Sequence, residues 1–357
     1  MSKSAENKPA GGAWRSTATL EEIAAKLRLC KSVVVTTHSK PDGDAVGSVL
    51  AMVRTLRRLK IEARGLFLGL WSPRFDAVVG DTPVVREQHG CWSQPPLSDI
   101  QDVLIVDTGS WNQLGDAKEW LKPRSARCIV VDHHAHGDAD LSPTRFVETT
   151  AAAVCQPVAQ LCCLLLGVKS PAELPTEVAE PLLLGIATDT GWFKHSNVNA
   201  AVLSTASQLV GAGARHNWLY QVVEQADEPS RLKLIGRALS SLEYLCDSKG
   251  AIMHVTKADL DQTGGSLDDA GGLTDFPQWV GKVRVAAVLV ELEPNLTKLS
   301  LRSKASLNGD AGADVDVNVL AQTFGGGGHK HAAGAKIHAP MGEALERVRA
   351  ALRSVLQ

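Results

Sequence analysis

The chain has 357 residues, of which 44% are hydrophobic and 21% charged, a composition typical of a globular protein with a substantial core. Its formal net charge of −2 argues against a partner such as a long nucleic acid duplex, because proteins that bind long nucleic acids carry a basic excess. It contains no run of about 18 apolar residues, so we expect neither a transmembrane helix nor a membrane partner. The seven cysteines include no C-x-x-C pair and indicate reduced thiols, so we expect a cytoplasmic protein.

The first half of the chain alternates predicted helices with short apolar strands. In chain order, we predict a helix over 20–29, a strand over 33–37, a helix that ends at Leu59, and strands over 61–68, 103–106 and 128–131. Strands that are apolar at every position are buried on both faces, as in parallel sheets whose strands are joined by helices. The pattern therefore predicts an α/β domain with a parallel sheet.

The second half changes character after a helical region. Residues 150–225 are rich in Ala and Leu at helical spacing, and later segments have the composition of strands. We predict strands over 251–255, 283–291 and 297–302, a Gly-rich loop over 325–328 and a helix over 341–356. The expected organisation is a disordered tail over 1–17, a domain over 18–226, a linker over 227–240 and a smaller α/β domain over 241–357.

Acidic and imidazole side chains follow the carboxyl ends of the predicted strands. These candidates are His38, Asp42, Asp44, Asp107, Asp132, His133 and His134, and a helical segment adds Asp189. Ligands bind at this edge of open α/β sheets, and so many carboxylates repel one another unless cations neutralise them. Oxygen and nitrogen ligands without thiolate favour Mn²⁺ or Mg²⁺ over structural zinc.

Each element also has a simpler interpretation when it is taken alone. Pro41-Asp42-Gly43 is a common turn sequence, and an Asp at a strand end, such as Asp107, is commonly a helix cap or a loop residue. All these elements occur together and in order at predicted strand ends, which favours a metal centre.

The combined motifs resemble those of a known family. The segments His38-x3-Asp42-x-Asp44-x2-Gly47-Ser48, Asp107, Asp132-His133-His134 and Thr188-Asp189-Thr190-Gly191 resemble the four motifs of the DHH phosphoesterases. Residues 324–334, Phe-Gly-Gly-Gly-Gly-His-Lys-His-Ala-Ala-Gly, resemble the signature of the DHH-associated C-terminal domain. The spacing best resembles the NrnA-type bifunctional oligoribonucleases and 3′-phosphoadenosine-5′-phosphate phosphatases. The resemblance implies an N-terminal parallel-sheet domain, a smaller C-terminal α/β domain and an active site in the cleft between them.

The resemblance also implies two Mn²⁺ ions per chain, with Mg²⁺ as an alternative. The implied ligands are His38, Asp42 and Asp107 for one ion, and Asp44, Asp107, His133 and Asp189 for the other. Asp107 would bridge the two ions. His134 would contact the scissile phosphate, and Asp132 would orient a neighbouring imidazole.

The C-terminal motif implies a substrate-binding role for a second group of residues. The candidates are Arg302, Gly326, Gly327, Gly328 and His329. Glycines let backbone N–H groups approach an anion closely, and a planar guanidinium can bind a phosphate through two bonds. The simpler interpretations are a flexible Gly-rich linker and an ordinary exposed cation on a strand.

The implied activity is Mn²⁺-dependent hydrolysis of short oligoribonucleotides (nanoRNA), of 3′-phosphoadenosine-5′-phosphate, or of both, through a metal-bridging hydroxide. We expect a short RNA or a nucleotide as the substrate. The sequence leaves open whether the protein forms a homodimer. One alternative is a phosphodiesterase for cyclic dinucleotides or for their linear products. A RecJ-like single-strand exonuclease is disfavoured by the net charge, and a non-catalytic nucleotide-binding module is disfavoured because every ligand position is filled.

Overall fold

The computed structural model describes residues 13–87, 91–93, 97–304 and 314–356. The chain divides into two compact units, Met1–Ala226 and Asp227–Gln357. Within the described residues, no helix is both long enough and apolar enough to cross a membrane.

The first unit is built on a six-stranded sheet in which all the paired strands are parallel. Its strands are β1 (Ser32–Thr36), β2 (Glu62–Phe67), β3 (Val84–Arg86), β4 (Asp102–Val106), β5 (Cys128–Asp132) and β6 (Thr144–Val147). The order β3-β2-β1-β4-β5-β6 confirms the predicted parallel sheet. The sequence did not predict β3 and β6, because both are short and only partly buried and therefore lack an apolar run.

Helices cover this sheet and connect its strands. They are α1 (Leu20–Leu29), α2 (Gly43–Arg58), α3 (Asp76–Val79), α4 (Ala117–Leu121), α5 (Cys155–Leu166), α6 (Thr176–Asp189), α7 (Ala200–Gly211) and α8 (His216–Glu224). On β1, Val33 and Val35 join the core cluster that contains α1, α2, α5 and α6, whereas Val34 joins a cluster that contains α4. The strand is apolar throughout because both of its faces are buried.

The second unit contains a mixed six-stranded sheet in the order β11-β12-β10-β9-β8-β7. Its strands are β7 (Glu243–Leu245), β8 (Gly250–Val255), β9 (Val285–Glu293), β10 (Leu296–Ser303), β11 (Gly327–His329) and β12 (Ala332–Ile337). Its helices are α9 (Pro229–Ser240), α10 (Lys257–Thr263), α11 (Asp275–Gln278), α12 (Val317–Gln322) and α13 (Met341–Leu356). Part of the predicted Gly-rich loop is therefore a short strand, because β11 pairs with β12.

The segment predicted as a linker, 227–240, contains α9 and lies in the second unit. Pro229 occupies the first turn of this helix, where its missing N–H costs nothing, and apolar residues follow at helical spacing. Leu234 and Ala238 are fully buried in a cluster with Met253 and Val255 of β8. The segment is therefore part of a core.

The end of the predicted N-terminal tail is bound to β6. The backbone N–H of Thr17 donates to the Arg145 carbonyl at 2.8 Å, and the Ser16 hydroxyl donates to the Val147 carbonyl at 3.1 Å. This end of the tail is thus held by hydrogen bonds to the backbone of β6. The apolar pattern of the sequence cannot predict such bonds. The rest of the predicted tail, 1–12, lies outside the described residues.

Candidate metal centre

Three neighbouring strands deliver acidic and imidazole side chains to the carboxyl edge of the parallel sheet. His38 follows β1, Asp107 follows β4 directly, and His133 follows β5 directly. The strand order reverses between β1 and β4, since β2 lies on one side of β1 and β4 on the other. Open α/β sheets bind their ligands at such a position.

The first turn of α2 contributes two carboxylates. Asp42 is the N-cap of α2, and its Oδ1 accepts hydrogen bonds from the backbone N–H groups of Asp44 and Ala45, each at 3.1 Å. Asp44 is buried, and its carboxylate accepts backbone N–H bonds from Val154 and Cys155 at the start of α5. These bonds fix both carboxylates before any cation binds.

Close packing of α2 against α6 adds Asp189, the last residue of α6. A Cβ at Gly47 would lie 2.2 Å from the Pro181 carbonyl oxygen, and one at Gly185 would lie 2.6 Å from Asp44 Oδ1. Both positions require glycine, because any side chain would separate the helix backbones. The two glycines therefore set the distance between the carboxylates that α2 and α6 carry.

Asp107 lies between two groups of candidate ligands. Its Oδ2 is 3.4 Å from His38 Nε2, and its Oδ1 is 3.3 Å from His133 Nε2. The ligand atoms of one group, His38, Asp42 and Asp107, lie within 4.8 Å of one another, as do those of another, Asp44, His133 and Asp189. Asp107 is 3% exposed and has a φ of 62°, a left-handed conformation that only a few non-glycine residues adopt.

The two imidazoles that face Asp107 are oriented in the same way. His38 Nδ1 lies 3.1 Å from the Ser39 carbonyl, and His133 Nδ1 lies 3.1 Å from the Ala151 carbonyl. Because a carbonyl oxygen can only accept, Nδ1 carries the proton in each ring and Nε2 is directed at the carboxylates. Neutral Nε2 atoms beside carboxylates repel them, and a cation or a proton between them removes that repulsion.

The pKa values in this cluster reflect burial and the short distances between its carboxylates and imidazoles. Burial and the charges of Asp107 and Asp42 raise the pKa of Asp189 to about 7. Burial alone would lower the pKa of both histidines, but the hydrogen bonds and charges of the facing carboxylates raise it to about 11 for His38 and about 10 for His133. Without cations the cluster therefore retains protons at neutral pH, and its oxygen and nitrogen donors fit divalent cations that would replace them.

Asp132 and His134 form a pair beside this cluster. Asp132 Oδ1 accepts from His134 Nδ1 at 2.8 Å and from the His133 backbone N–H at 2.9 Å. The bond to Asp132 raises the pKa of His134 and engages Nδ1, the ring nitrogen that lies 4.0 Å from Asp107 Oδ1. The His134 side chain is 53% exposed, whereas Asp132 is fully buried. This arrangement leaves the second ring nitrogen of His134 for an external group.

Two models of protein domains match the chain. The model for the DHH family, N-terminal domain, matches residues 32–186, and the DHHA1 domain model matches residues 278–357. Together the two ranges cover more than half of the chain. The chain therefore contains a DHH domain and a DHHA1 domain.

The relatives of this DHH protein match nearly its full length. It is 28% identical to the bifunctional oligoribonuclease and PAP phosphatase NrnA of Thermus thermophilus, over 98% of this chain and 97% of the relative. It is 25% identical to NrnA of Bacillus subtilis, over 89% of this chain and 93% of the relative. An exopolyphosphatase-related protein from Bacteroides fragilis has the same fold, with a TM-score of 0.84 at 22% identity over 94% of this chain and 95% of the other. The DHH protein is a metal-dependent phosphoesterase.

The structure adds one residue to the site that the sequence did not predict. The indole N–H of Trp14 donates to the His134 carbonyl at 3.2 Å. The indole also lies against the backbone of two glycines: a Cβ at Gly109 would be 1.9 Å from the ring, and one at Gly137 would be 2.5 Å from it. Trp14 therefore holds together the loops that follow Asp107 and His134. The available signal was a lone tryptophan in a segment of Gly, Ala and polar residues.

The predicted substrate-binding residues of this DHH protein lie in the second unit. Arg302 on β10 and His329 on β11 both pair with Ala332 of β12, so they occupy one row of the sheet, and both are exposed. A Cβ at Gly326 would be 2.1 Å from the Gly334 carbonyl oxygen. This glycine thus permits a close approach of two backbone segments.

The residues next to His329 are already engaged. Lys330 forms an ion pair with Asp314 at 2.9 Å, and His331 Nδ1 is 2.9 Å from the Ser303 hydroxyl. Arg302 and His329 are exposed and form no ion pair with a described residue.

Proposed function

We propose that this phosphoesterase hydrolyses short oligoribonucleotides, 3′-phosphoadenosine-5′-phosphate, or both, with two Mn²⁺ ions as cofactors. The observation that carries the proposal is Asp107, whose two oxygens face two different imidazoles at 3.3 and 3.4 Å. A carboxylate shared in this way suits a two-metal hydrolase, in which the cations are about 3.5–4 Å apart. The substrate class is supported by relatives that carry the name of bifunctional oligoribonuclease and PAP phosphatase and match over most of the chain.

Each ligand would have a defined task. His38, Asp42 and Asp107 would hold one cation, and Asp44, Asp107, His133 and Asp189 would hold the other. Bound divalent cations lower the pKa of a coordinated water and neutralise charge on a phosphoryl group. The Nδ1–carbonyl bonds of His38 and His133 keep Nε2 directed at the cluster, so the ligands need little rearrangement on binding.

His134 would act on the phosphoryl group and not on the cations. Its Nδ1 is held by Asp132, and its raised pKa favours a protonated ring whose Nε2–H can donate to a phosphoryl oxygen. A donor placed where negative charge develops lowers the barrier for phosphoryl transfer. Asp132 would be a positioning residue for this donor, since it is buried and is hydrogen-bonded to the His134 ring.

The proposal is tested with protein stripped of metal and reloaded with Mn²⁺ or Mg²⁺. Hydrolysis is followed on RNA and DNA of 2 to 24 nucleotides, on 3′-phosphoadenosine-5′-phosphate and on cyclic dinucleotides. We expect rapid hydrolysis of RNA of two to five nucleotides, of 3′-phosphoadenosine-5′-phosphate, or of both, and none in EDTA.

Other outcomes would identify a different activity. Rapid processive digestion of a 24-mer would indicate a RecJ-like exonuclease, and a preference for cyclic dinucleotides would indicate a phosphodiesterase for them. Tight nucleotide binding without turnover in either metal would refute catalysis. Asp107→Ala is the inactive control in every arm, because it removes the shared ligand.

A further inference from the structure

Within the part of the chain that the structure describes, one part of the second unit's sheet carries exposed side chains. On β10, Leu299 and Leu301 are fully buried in a core cluster that contains α12 and α13. The alternating residues Lys298, Ser300 and Arg302 lie on the opposite face, and the two cations are exposed. Helices α9 and α10 pack beside Val288 and Val290 of β9 on that face. Among the described residues, β10 and β12 form an open face there, on which Lys298, Arg302 and Lys336 are exposed.

Two lysines lie directly opposite each other on this open face. Lys298 of β10 pairs with Lys336 of β12 in the antiparallel register, and both are exposed. Like charges that face each other across two strands destabilise a sheet, so this pair has a cost in the free protein. Neither side chain makes an ion pair with a described residue. An anion bound between the two ammonium groups would remove the repulsion.

The lysine pair and Arg302 are aligned along the strand. Lys298 and Arg302 are four residues apart on β10, a distance of about 13 Å at about 3.3 Å per residue. The row between them consists of Ser300 and Gly334, whose small size leaves the strip flat. A stacked single strand carries one phosphate per about 3.4 Å, so two phosphates separated by about four steps would reach from Arg302 to the lysines. A strand with five phosphates, such as a 5′-phosphorylated pentanucleotide, has this span.

We propose that Lys298 and Lys336 form a second anion subsite, which binds a backbone phosphate of a single-stranded oligonucleotide whose other phosphate is held by Arg302. The inference rests on the proposed function for the identity of the ligand. It adds a length dependence: a dinucleotide is too short to reach both positions, whereas a 5′-phosphorylated pentanucleotide reaches both. The subsite therefore contributes to the affinity for longer substrates and leaves the shortest ones unaffected.

The test is direct binding of 5′-phosphorylated, 3′-fluorescein-labelled RNA of two and five nucleotides to the full-length protein, measured by anisotropy in EDTA to prevent cleavage. We expect K298Q/K336Q to weaken pentanucleotide binding about fivefold and to change dinucleotide binding less than twofold. The slope of log Kd against log salt for the pentanucleotide should fall by about 0.7, the contribution of one phosphate contact.

The matched control is K31Q/K60Q, which removes the same charge from residues that precede β1 and β2 at the opposite edge of the first unit's sheet. A second comparison is R302Q, which should weaken both lengths. Equal weakening of both lengths by K298Q/K336Q, an effect no larger than that of the control, or a wild-type protein that does not bind the pentanucleotide would overturn the subsite.

Hydrolysis measured in parallel separates this inference from the proposed function. Wild-type protein that binds the pentanucleotide in a lysine-dependent way but cleaves no RNA in Mn²⁺ would refute the proposed function and retain the subsite. RNA cleavage and RNA binding that are both unchanged in K298Q/K336Q at every length would refute the subsite and retain the proposed function.

Discussion

Trp14 offers a sharp test of how the loop that carries His134 is held in place. The indole N–H bond to the His134 carbonyl is 3.2 Å long, and the ring lies directly against Gly109. Trp14→Ala removes both contacts, whereas Trp14→Phe keeps a smaller aromatic ring and removes the N–H donor. Gly109→Ala disrupts the same contact by changing the residue that faces the indole, because its new methyl group would lie 1.9 Å from the ring.

The expected magnitudes follow from these distances. Carbon atoms in contact are about 3.5–4.0 Å apart, so Gly109→Ala must displace the indole by roughly 2 Å, which breaks the hydrogen bond to His134. A displacement of about 1 Å at a catalytic group can cost about 100-fold in rate, and we expect kcat to fall about 10- to 100-fold in Gly109→Ala and Trp14→Ala. The free energy of unfolding should fall by about 2 kcal/mol in Trp14→Ala, from one lost hydrogen bond and the packing of one ring.

A double-mutant cycle is the decisive assay. In Trp14→Ala the space of the indole is vacant, and Gly109 does not have a positive φ, so adding Gly109→Ala should cost little further activity. The measurements are kcat and KM with 3′-phosphoadenosine-5′-phosphate and a dinucleotide, together with thermal unfolding. Trp14→Phe should lie between the wild type and Trp14→Ala. Additive losses in the double variant, or a kcat that is unchanged while Tm falls, would refute a positioning role for Trp14.

The remaining predictions concern the metal centre and the second unit. Asp107→Ala should lower the content of bound Mn²⁺ at both positions by elemental analysis, and retention of two ions per chain would show that another residue bridges them. His134→Ala should retain most of the metal and lose turnover at least 100-fold, because it loses a donor to the phosphoryl group; loss of metal along with activity would instead make it a ligand. Because the metal-free fold holds protons on Asp189 (pKa about 7) and His38 (pKa about 11) that the unfolded chain releases at lower pH, the stability of the metal-free protein should fall as pH rises from about 4 through 7 and beyond. The increase in Tm on adding Mn²⁺ should accordingly be larger at pH 8 than at pH 6, and an equal increase at both values would contradict the proton displacement. Arg302→Ala should raise KM more than it lowers kcat, because a phosphate contact remote from the reacting bond is the same in the ground and transition states; a fall in kcat alone would contradict this.

The sequence by itself determined the parallel sheet and most candidate ligands. The strands β1, β4 and β5 are apolar at every position because both faces of the sheet are covered, and this local pattern needs no tertiary information. Asp107 and His133 follow such strands directly, so their place at the carboxyl edge was predictable from the strands alone. The family resemblance carried by these motifs is confirmed by the matches to both domain models.

Only the tertiary structure decided the features that depend on contacts between distant segments. The role of Trp14 depends on Gly109 and Gly137, and no periodicity links residues that are 95 and 123 positions apart. The helix α9 was predicted as a linker because the sequence does not show which strand its apolar residues cover. The opposition of Lys298 and Lys336 depends on the register of two strands, and a shift of one strand by one residue would have turned its lysine toward the core. Local patterns specify which residues are buried, whereas pairing between segments specifies which side chains meet.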